Sequence, residues 1–566
     1  MNEIRNDLRA KNLHDTEDGP LTGGLPARSD AEILNNRTVD GTYNDLKFPR
    51  MGSTGTRFGR NVPVSATAPD TANLLNPSPR EVSLELMTRT EFQPVPFLNL
   101  LAAAWIQFET HDWFSHGRDE SPDRMIEIAL APGDNWPEKP MRVPRTPDDP
   151  TRKRGAATPP TFSNRVTHWW DGSQLYGSDE AGMRKVRTGQ GGRIHVGQDL
   201  KLPMDPDTRI DLTGFFDNWW MGLSLLHGLF AAEHNAICAM LKRKNPRWKD
   251  DKLYAKARLI NAALMAKIHT IEWTPAILPN PITSYALKVN WSGALGGLQK
   301  IIKGLDNSEL AGGIVGSQAD HHGAPYSLTE EFVAVYRMHP LMPDEFEFRS
   351  ARTGAAIEKL NLPEISGRAN RAVLERHSMT DLFYSFGTSH PGMLRLHNFP
   401  RFLQNLARDN GKMFDMAAVD ILRDRERGVP RYNQFREFLR MPRITRFADL
   451  TDNPQWAAEL ERVYKGDIDK VDLMVGLYAE PLPKGFGFSE TAFRIFILMA
   501  SRRLKSDRFF TDFYTREVYT QEGLDWIEEN SMVTILKRHL PSLTDALHGV
   551  ENAFNPWNNA AKKKRR

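Results

Sequence analysis

Two short segments hold residue types and spacings that could do redox chemistry. Gln107-Phe108-Glu109-Thr110-His111-Asp112 puts an amide, an imidazole and a carboxylate on one expected helix. Tyr336-Arg337-Met338-His339-Pro340 puts a phenol three residues before an imidazole, with proline just after. One histidine that can ligate iron, a second that can face it and a tyrosine beside the ligand are the parts of a haem site that makes a protein radical. Gln107 and His111 are four residues apart and share a helix face, whereas Asp112 is rotated by about 100° and points elsewhere. A histidine above a haem can accept and return peroxide protons, and a nearby amide can hold the oxygen species. A helix expected over 329–339 would make Tyr336 and His339 neighbours on one face, with the phenol close to the haem edge. Read alone, each segment also fits a structural role: a hydrogen-bonded core histidine, and a helix end with two buried aromatics.

A third segment, Thr167-His168-Trp169-Trp170-Asp171-Gly172-Ser173, offers oxygens at alternate positions. Side-chain oxygens of Thr167, Asp171 and Ser173, the carbonyls of residues 167 and 169 and the Asp112 carboxylate are hard ligands of the kind calcium prefers. An Asp-Gly turn capped by serine is the plainer reading of the same residues. His111 and His116 have no third ligand at zinc spacing. The chain holds no GxxxxGK[ST], HExxH or GxSxG segment, so nucleotide-binding and hydrolase readings have little support.

The elements that must position these residues are mostly helical. Helical spacing runs through residues 95–116, 219–243 and 252–277, with Asn245-Pro246 between the last two. Further helices are expected at 381–386, 414–427 and 490–504, and strand signals are few. Residues 1–80, rich in Gly, Pro, Asn, Asp and Thr, read as an extended, irregular arm over a helical body at 81–555. A basic tail, residues 556–566, follows. At 566 residues the chain can bury a large core. A net charge of +3 argues against a nucleic-acid partner. One cysteine, Cys238, excludes an internal disulfide framework and fits a reducing, cytoplasmic setting. No secretory or membrane-spanning segment is expected. The tail AAKKKRR is read as solvated, with weak peripheral attraction to an anionic membrane surface as the sharper alternative. No obligate protein partner is inferred.

Taken together and in order, the three segments and Glu233-His234-Asn235 resemble the cyclooxygenase and animal-type haem peroxidase superfamily. Within it the chain is most similar to the fatty acid α-dioxygenases, on WIQFETHDWFSH, THWWDGSQLYG, NWWMGLSLLHGLFAAEHN, KIHTIEWT and SRRLKSDRFF. The resemblance runs from about residue 10 to about 555 and implies a mainly α, haem peroxidase-like domain. It implies His111 as the distal histidine with Gln107 as its partner, His339 as the proximal iron ligand and Tyr336 as the radical tyrosine. It gives calcium to Asp112, Thr167, Trp169 (by its carbonyl), Asp171 and Ser173, and a hydrogen bond on the proximal histidine to Asn398. His269, Thr274 and Arg502 or Arg503 would hold a substrate carboxylate, with Arg508 structural. Thr110 and Trp219 stand where mammalian peroxidases carry haem-ester carboxylates, so the haem b should be held non-covalently. Phe216 stands roughly where they carry an arginine, which weakens the alternative of a peroxidase for small donors. The activity implied is addition of O2 at the α-carbon of a fatty acid, giving a 2-hydroperoxy acid that can decarboxylate to a shortened aldehyde.

Overall fold

The apolar run after Trp220 forms a 24-residue helix, Met221–Lys244, in a computed structural model that describes residues 2–25, 27–153, 155–294, 309, 312–407 and 411–558. Its last turn, Lys242-Arg243-Lys244, complements the negative end of the helix dipole, and Asn245-Pro246 stops it. The next helix, Asp250–Ile268, opens on two aspartates at its positive end and packs back on the first. Both are buried on most of their faces, with polar side chains such as Glu233 and Arg258 paired inside. The Leu101–Trp113 helix lies against Met221–Lys244, with Phe108 and Phe230 stacked at 5.5 Å. Trp105, Phe108 and Phe230 are fully buried. Each contributes about 1.5–3 kcal/mol of apolar burial. This packing orients the face that carries Gln107 and His111.

Shorter elements complete the site. They are the helices Glu330–Val335, Met416–Glu426 and Glu490–Lys505. The last two are capped by Asp415 and Ser489, which accept from Ala418 N (3.0 Å) and Ala492 N (3.2 Å). Strand pairing among the described residues is confined to two-stranded antiparallel ladders: Met125–Ile128 with Met141–Pro144, Glu345–Arg349 with Ala356–Asn361, and Leu406–Ala407 with Met413–Phe414. No helix among the described residues is long and apolar enough to cross a membrane.

The N-terminal segment is less irregular than its composition suggests. It begins with a helix, Asn2–Lys11, held by ion pairs from Arg5 and Arg9 to Glu309 at 2.9 and 2.8 Å. Ile4 and Leu8 are its only large apolar residues, too few for a visible period, and those partners lie far away in sequence. Farther on, Arg60 donates to Glu331 Oε1 (2.9 Å) and to the carbonyls of Arg427 (2.8 Å) and Gly428 (2.6 Å). The arm thereby clamps the short helix that leads to Tyr336. At the other end, Trp557 is buried and its backbone N–H donates to the Gly387 carbonyl at 2.8 Å, so residues 556–558 pack on the body rather than joining a tail. The basic run itself lies outside the described residues.

Gly428 has φ of +66°, and a Cβ there would run into the Thr67 carbonyl oxygen. Gly428→Ala should therefore destabilise the protein by about 1–3 kcal/mol, seen as a lower urea midpoint. An unchanged midpoint would show that the arm does not depend on this close approach.

Candidate active site

His111 sits in the last turn of the Leu101–Trp113 helix, at the wall of a cavity of about 420 Å³. Its Nε2 lies 3.4 Å from Gln107 Nε2, one turn earlier, as the spacing predicts. Gln107 is itself held: Trp220 Nε1 donates to its Oε1 (2.6 Å), and its Nε2 donates to the Asn218 carbonyl (3.1 Å). Burial drives the His111 pKa down to about 3, so the ring is a neutral base at physiological pH. Its Nδ1 is buried with no hydrogen-bond partner among the described residues.

His339 lines the same cavity. The helix expected over 329–339 ends at Val335, with Tyr336 as its cap (φ −86°, ψ 8°), and His339 opens a separate 3-10 turn, His339–Leu341. Pro340 has no N–H for the Tyr336 carbonyl four residues earlier, and its ring would clash with that oxygen, so the α-helix cannot run on through it. Tyr336 and His339 therefore do not share one helical face. Asn398 does not reach His339: its Nδ2 donates to the carbonyls of Gln93 and Met393, and its Oδ1 accepts from Arg89 Nε. Asp420, on the Met416–Glu426 helix, takes that place, with Oδ2 2.8 Å from His339 Nδ1. No sequence signal marked Asp420, which lies 81 residues beyond His339.

Tyr336 lines this cavity and also a second one of about 370 Å³. Its ring rests against Trp113 (5.0 Å), Phe332 (4.5 Å) and Phe496 (4.6 Å). Burial holds its phenol protonated, far above the ordinary range. The second cavity is walled by apolar side chains, among them Leu278, Phe493, Phe496, Ile497 and Leu504, and also by His269 and Thr274. The helix loosens into a π-helical stretch at His269–Trp273. Such bulges turn side chains away from the regular helical sequence of faces. His269 Nδ1 accepts from Trp105 Nε1 at 3.2 Å, and burial keeps the ring neutral, which leaves Nε2 as the donor. The Thr274 hydroxyl lies 2.8 Å from the His269 carbonyl.

The structure separates the two arginines. Arg502 is spent on loop carbonyls, donating to His321 (3.2 Å), Ala324 (2.8 Å), Pro325 (2.9 Å) and Ser327 (3.4 Å). Arg508 likewise donates to Leu34 O (2.7 Å) and Tyr43 O (3.2 Å). Arg503 is 1% exposed and lies over the faces of Trp113 (4.2 Å) and Trp170 (4.7 Å). It makes no ion pair within 4.0 Å among the described residues. Trp170, whose face Arg503 covers, also lines the second cavity. Glu109, fully buried, accepts from Trp170 Nε1 at 2.8 Å, and burial raises its carboxyl to about 8. Its helix position gave no hint of this role.

The 167–173 loop does meet Asp112. Asp112 Oδ1 accepts from Ser173 N (2.6 Å) and from the Ser173 hydroxyl, and Oδ2 from Gly172 N (3.3 Å). Burial first, and then the charge of Asp171, push the Asp112 carboxyl up. Asp171 pairs with Arg258 at 3.1 Å, while Thr167 Oγ1 lies 3.5 Å from the Trp169 carbonyl. No group of three or more His, Cys, Asp or Glu among the described residues is set to hold a metal ion. A cation here would depend on hydroxyl and carbonyl oxygens beside two carboxylates, a donor set that suits calcium.

Two sequence features prove structural or shifted. Glu233 pairs with Arg538 (2.6 Å) and His539 (2.7 Å), His234 Nε2 lies 2.9 Å from the Gly192 carbonyl, and Asn235 binds Ile194 N and O, all away from both cavities. Phe216 is 41% exposed, and its neighbour Phe215 faces His111 at 5.2 Å. Thr110 and Trp219 both line the first cavity.

The family model described as animal haem peroxidase matches residues 36–553. "Alpha-dioxygenase 2" of Arabidopsis thaliana is 39% identical over 561 residues, 95% of this chain and 86% of that protein. The crystal structure of Oryza sativa fatty acid alpha-dioxygenase superposes with a TM-score of 0.91 at 36% identity, covering 98% of this chain and 92% of that one. A tyrosine-to-phenylalanine variant of the Oryza sativa enzyme, solved with palmitic acid, superposes with a TM-score of 0.90 at 36% identity and the same coverage. The chain belongs to the animal haem peroxidase family and, within it, to the α-dioxygenases.

Proposed function

We propose that this enzyme adds O2 to the α-carbon of fatty acids through a radical on Tyr336. The observation that carries the reading is the position of Tyr336 on the wall shared by the two cavities. One cavity is lined by two histidines suited to haem b: His339 to ligate iron and His111, neutral, to take and return protons. Haem bound there supplies the one-electron oxidising power that starts the reaction. With no carboxylate at Thr110 or Trp219, nothing at those positions forms an ester to it. Calcium held by Asp112, Thr167, the Trp169 carbonyl, Asp171 and Ser173 would tie the loop to the residue after His111.

The second cavity receives the fatty acid. The carboxylate is met by His269 Nε2–H, the Thr274 hydroxyl and the positive field of Arg503, whose nitrogens have no hydrogen-bond partner among the described residues. The tail lies along the apolar wall, where each buried methylene contributes about 0.8 kcal/mol. An anchored carboxylate brings the α-carbon, rather than a distant double bond, to Tyr336. Tyr336 gives up an electron and its phenolic proton, and the phenoxyl takes a hydrogen atom from the α-carbon. O2 adds to the carbon radical. The peroxyl takes the hydrogen atom back from Tyr336, yielding the 2-hydroperoxy acid and renewing the phenoxyl. Loss of CO2 and water from that product leaves an aldehyde one carbon shorter. Phe215 presents an apolar ring to His111, which gives no help to peroxide cleavage and weighs against a role in oxidising small donors.

Oxygen uptake by haem-loaded protein with palmitate, followed by mass spectrometry, should give 2-hydroperoxypalmitate or pentadecanal. Turnover of a phenolic donor without oxygen uptake would return the enzyme to the peroxidases. Tyr336→Phe should keep the Soret band and lose oxygenation; full oxygenase activity would sink the radical mechanism. Arg503→Met should weaken palmitate by about 2–5 kcal/mol, a rise in KM of roughly 30-fold or more. If Arg502→Met gave that phenotype instead, the division of the pair would be reversed. Treatment with a calcium chelator should lower Tm, with recovery on adding Ca²⁺ but not Mg²⁺; an unmoved Tm would count against the loop site.

A further inference from the structure

The hydrogen bonds around Gln107 fix the tautomer of His111. Gln107 Oε1 accepts from Trp220 Nε1 (2.6 Å), so its NH2 is the end turned to the Asn218 carbonyl and to His111 Nε2. An NH2 only donates, so Nε2 of His111 is the acceptor, and the neutral ring carries its proton on Nδ1. That Nδ1 is buried and has no hydrogen-bond partner among the described residues. A second histidine holds the matching orphan. His227, fully buried, stands on the Met221–Lys244 helix. The Thr213 hydroxyl gives its proton to the Gln174 carbonyl (3.0 Å), so its oxygen accepts from His227 Nδ1–H (2.6 Å). Burial keeps this ring neutral as well, which leaves Nε2 a bare lone pair, and Nε2 too is buried without a partner among the described residues. The two rings are bracketed by the same neighbours. Phe108, three residues before His111 on its helix, meets His227 at right angles, with 4.9 Å between ring centres. Phe215, two residues after Thr213, meets His111 at 5.2 Å. Trp219, on the wall of the first cavity, lies 4.7 Å from His227. His111 is also the ionisable group that bears on the charge of His227.

We propose that His227 is the positioning residue of His111: its Nε2 accepts the His111 Nδ1–H, directly or across one water, and so keeps the lone pair of His111 Nε2 turned to the first cavity. This rests on the reading of His111 as the histidine that takes and returns peroxide protons. Only one of the two neutral tautomers suits that task. With its proton on Nδ1 the ring offers peroxide a lone pair, whereas the other tautomer would offer an N–H. The partner of the far nitrogen decides which tautomer is present. A buried donor and a buried acceptor of opposite sense, side by side, are the two ends of such a partnership, since buried polar groups are seldom left unpaired. The donors then run one way, from His111 to His227, from His227 to Thr213 and from Thr213 to the Gln174 carbonyl. Gln107 sets the near nitrogen of His111 and His227 sets the far one. His227 acts through His111 and touches neither peroxide nor fatty acid.

The test uses the haem-loaded full chain and two readouts. Proton NMR of the ferric cyanide complex follows solvent exchange of the His111 Nδ1–H, a resonance identified by its loss in His111→Leu. Stopped flow follows the first oxidation of the haem by an alkyl hydroperoxide. His227→Leu should speed the exchange and slow the oxidation, each by about tenfold or more, with the KM for palmitate unmoved. His227→Gln should restore both, because its amide oxygen accepts where Nε2 did and its NH2 reaches Thr213. If His227→Leu does not fold, Thr213→Val, which releases the other tautomer of His227, should move both readouts in the same direction. Exchange and oxidation unchanged in the folded variant, or a loss in His227→Leu that glutamine does not repair, would overturn the proposal. An oxidation rate unchanged in His111→Leu would instead remove His111 from the peroxide step, and the inference with it.

Discussion

The site depends on the break in the chain between Val335 and His339. A continuous helix would set Tyr336 and His339 side by side on one face. The helix instead ends at Val335 and a new turn begins at His339, ahead of Pro340. This leaves the phenol free to stand on the wall of both cavities while the imidazole faces only one. The radical reading proposed above uses this placement. The break is held from outside itself: by Arg60 of the N-terminal arm on Glu331, by Asp420 on Arg337, and by Tyr478 on the Arg337 carbonyl.

Around this break the protein keeps a set of ionisable groups in surroundings that oppose their charge. Burial holds His111 and His269 neutral and Tyr336 protonated, which suits a base, a donor and a hydrogen-atom carrier in turn. Arg503 is the exception, buried against indole faces with no ion pair within 4.0 Å among the described residues. A buried cation held without a direct ion pair is costly, which is why the proposed carboxylate contact is assigned to it. The same logic separates Arg502 and Arg508, whose donors are already satisfied by backbone carbonyls.

Much of this was legible in the residues. The i, i+4 pairing of Gln107 and His111 survives because a well-formed helix transmits spacing directly into geometry. The helices at 101–113, 221–244, 250–268 and 490–505 were visible through their apolar patterns, although the first starts six residues later than expected and the third gives way at Ile268 to a π-helical stretch before the coil ends at Ile277. The loop at 167–173 came to Asp112 as its oxygen-rich pattern suggested. Glu233-His234-Asn235, by contrast, marks the family but serves packing, with Glu233 anchoring Arg538 and His539.

What the sequence by itself determined was the local chemistry: which residue types stand at helical spacing, where helices run, and which family the ordered motifs indicate. Tertiary structure alone decided which distant groups meet. Asp420 reaches His339 across 81 residues, Glu109 turns inward to Trp170, and Arg503 rather than its neighbour Arg502 faces the aromatic wall. The Asn2–Lys11 helix also depends on a remote partner, Glu309. Periodicity reports the face a side chain shares with its near neighbours. The partner waiting on the facing element, and with it the protonation state and the available donor, is set only when the elements pack.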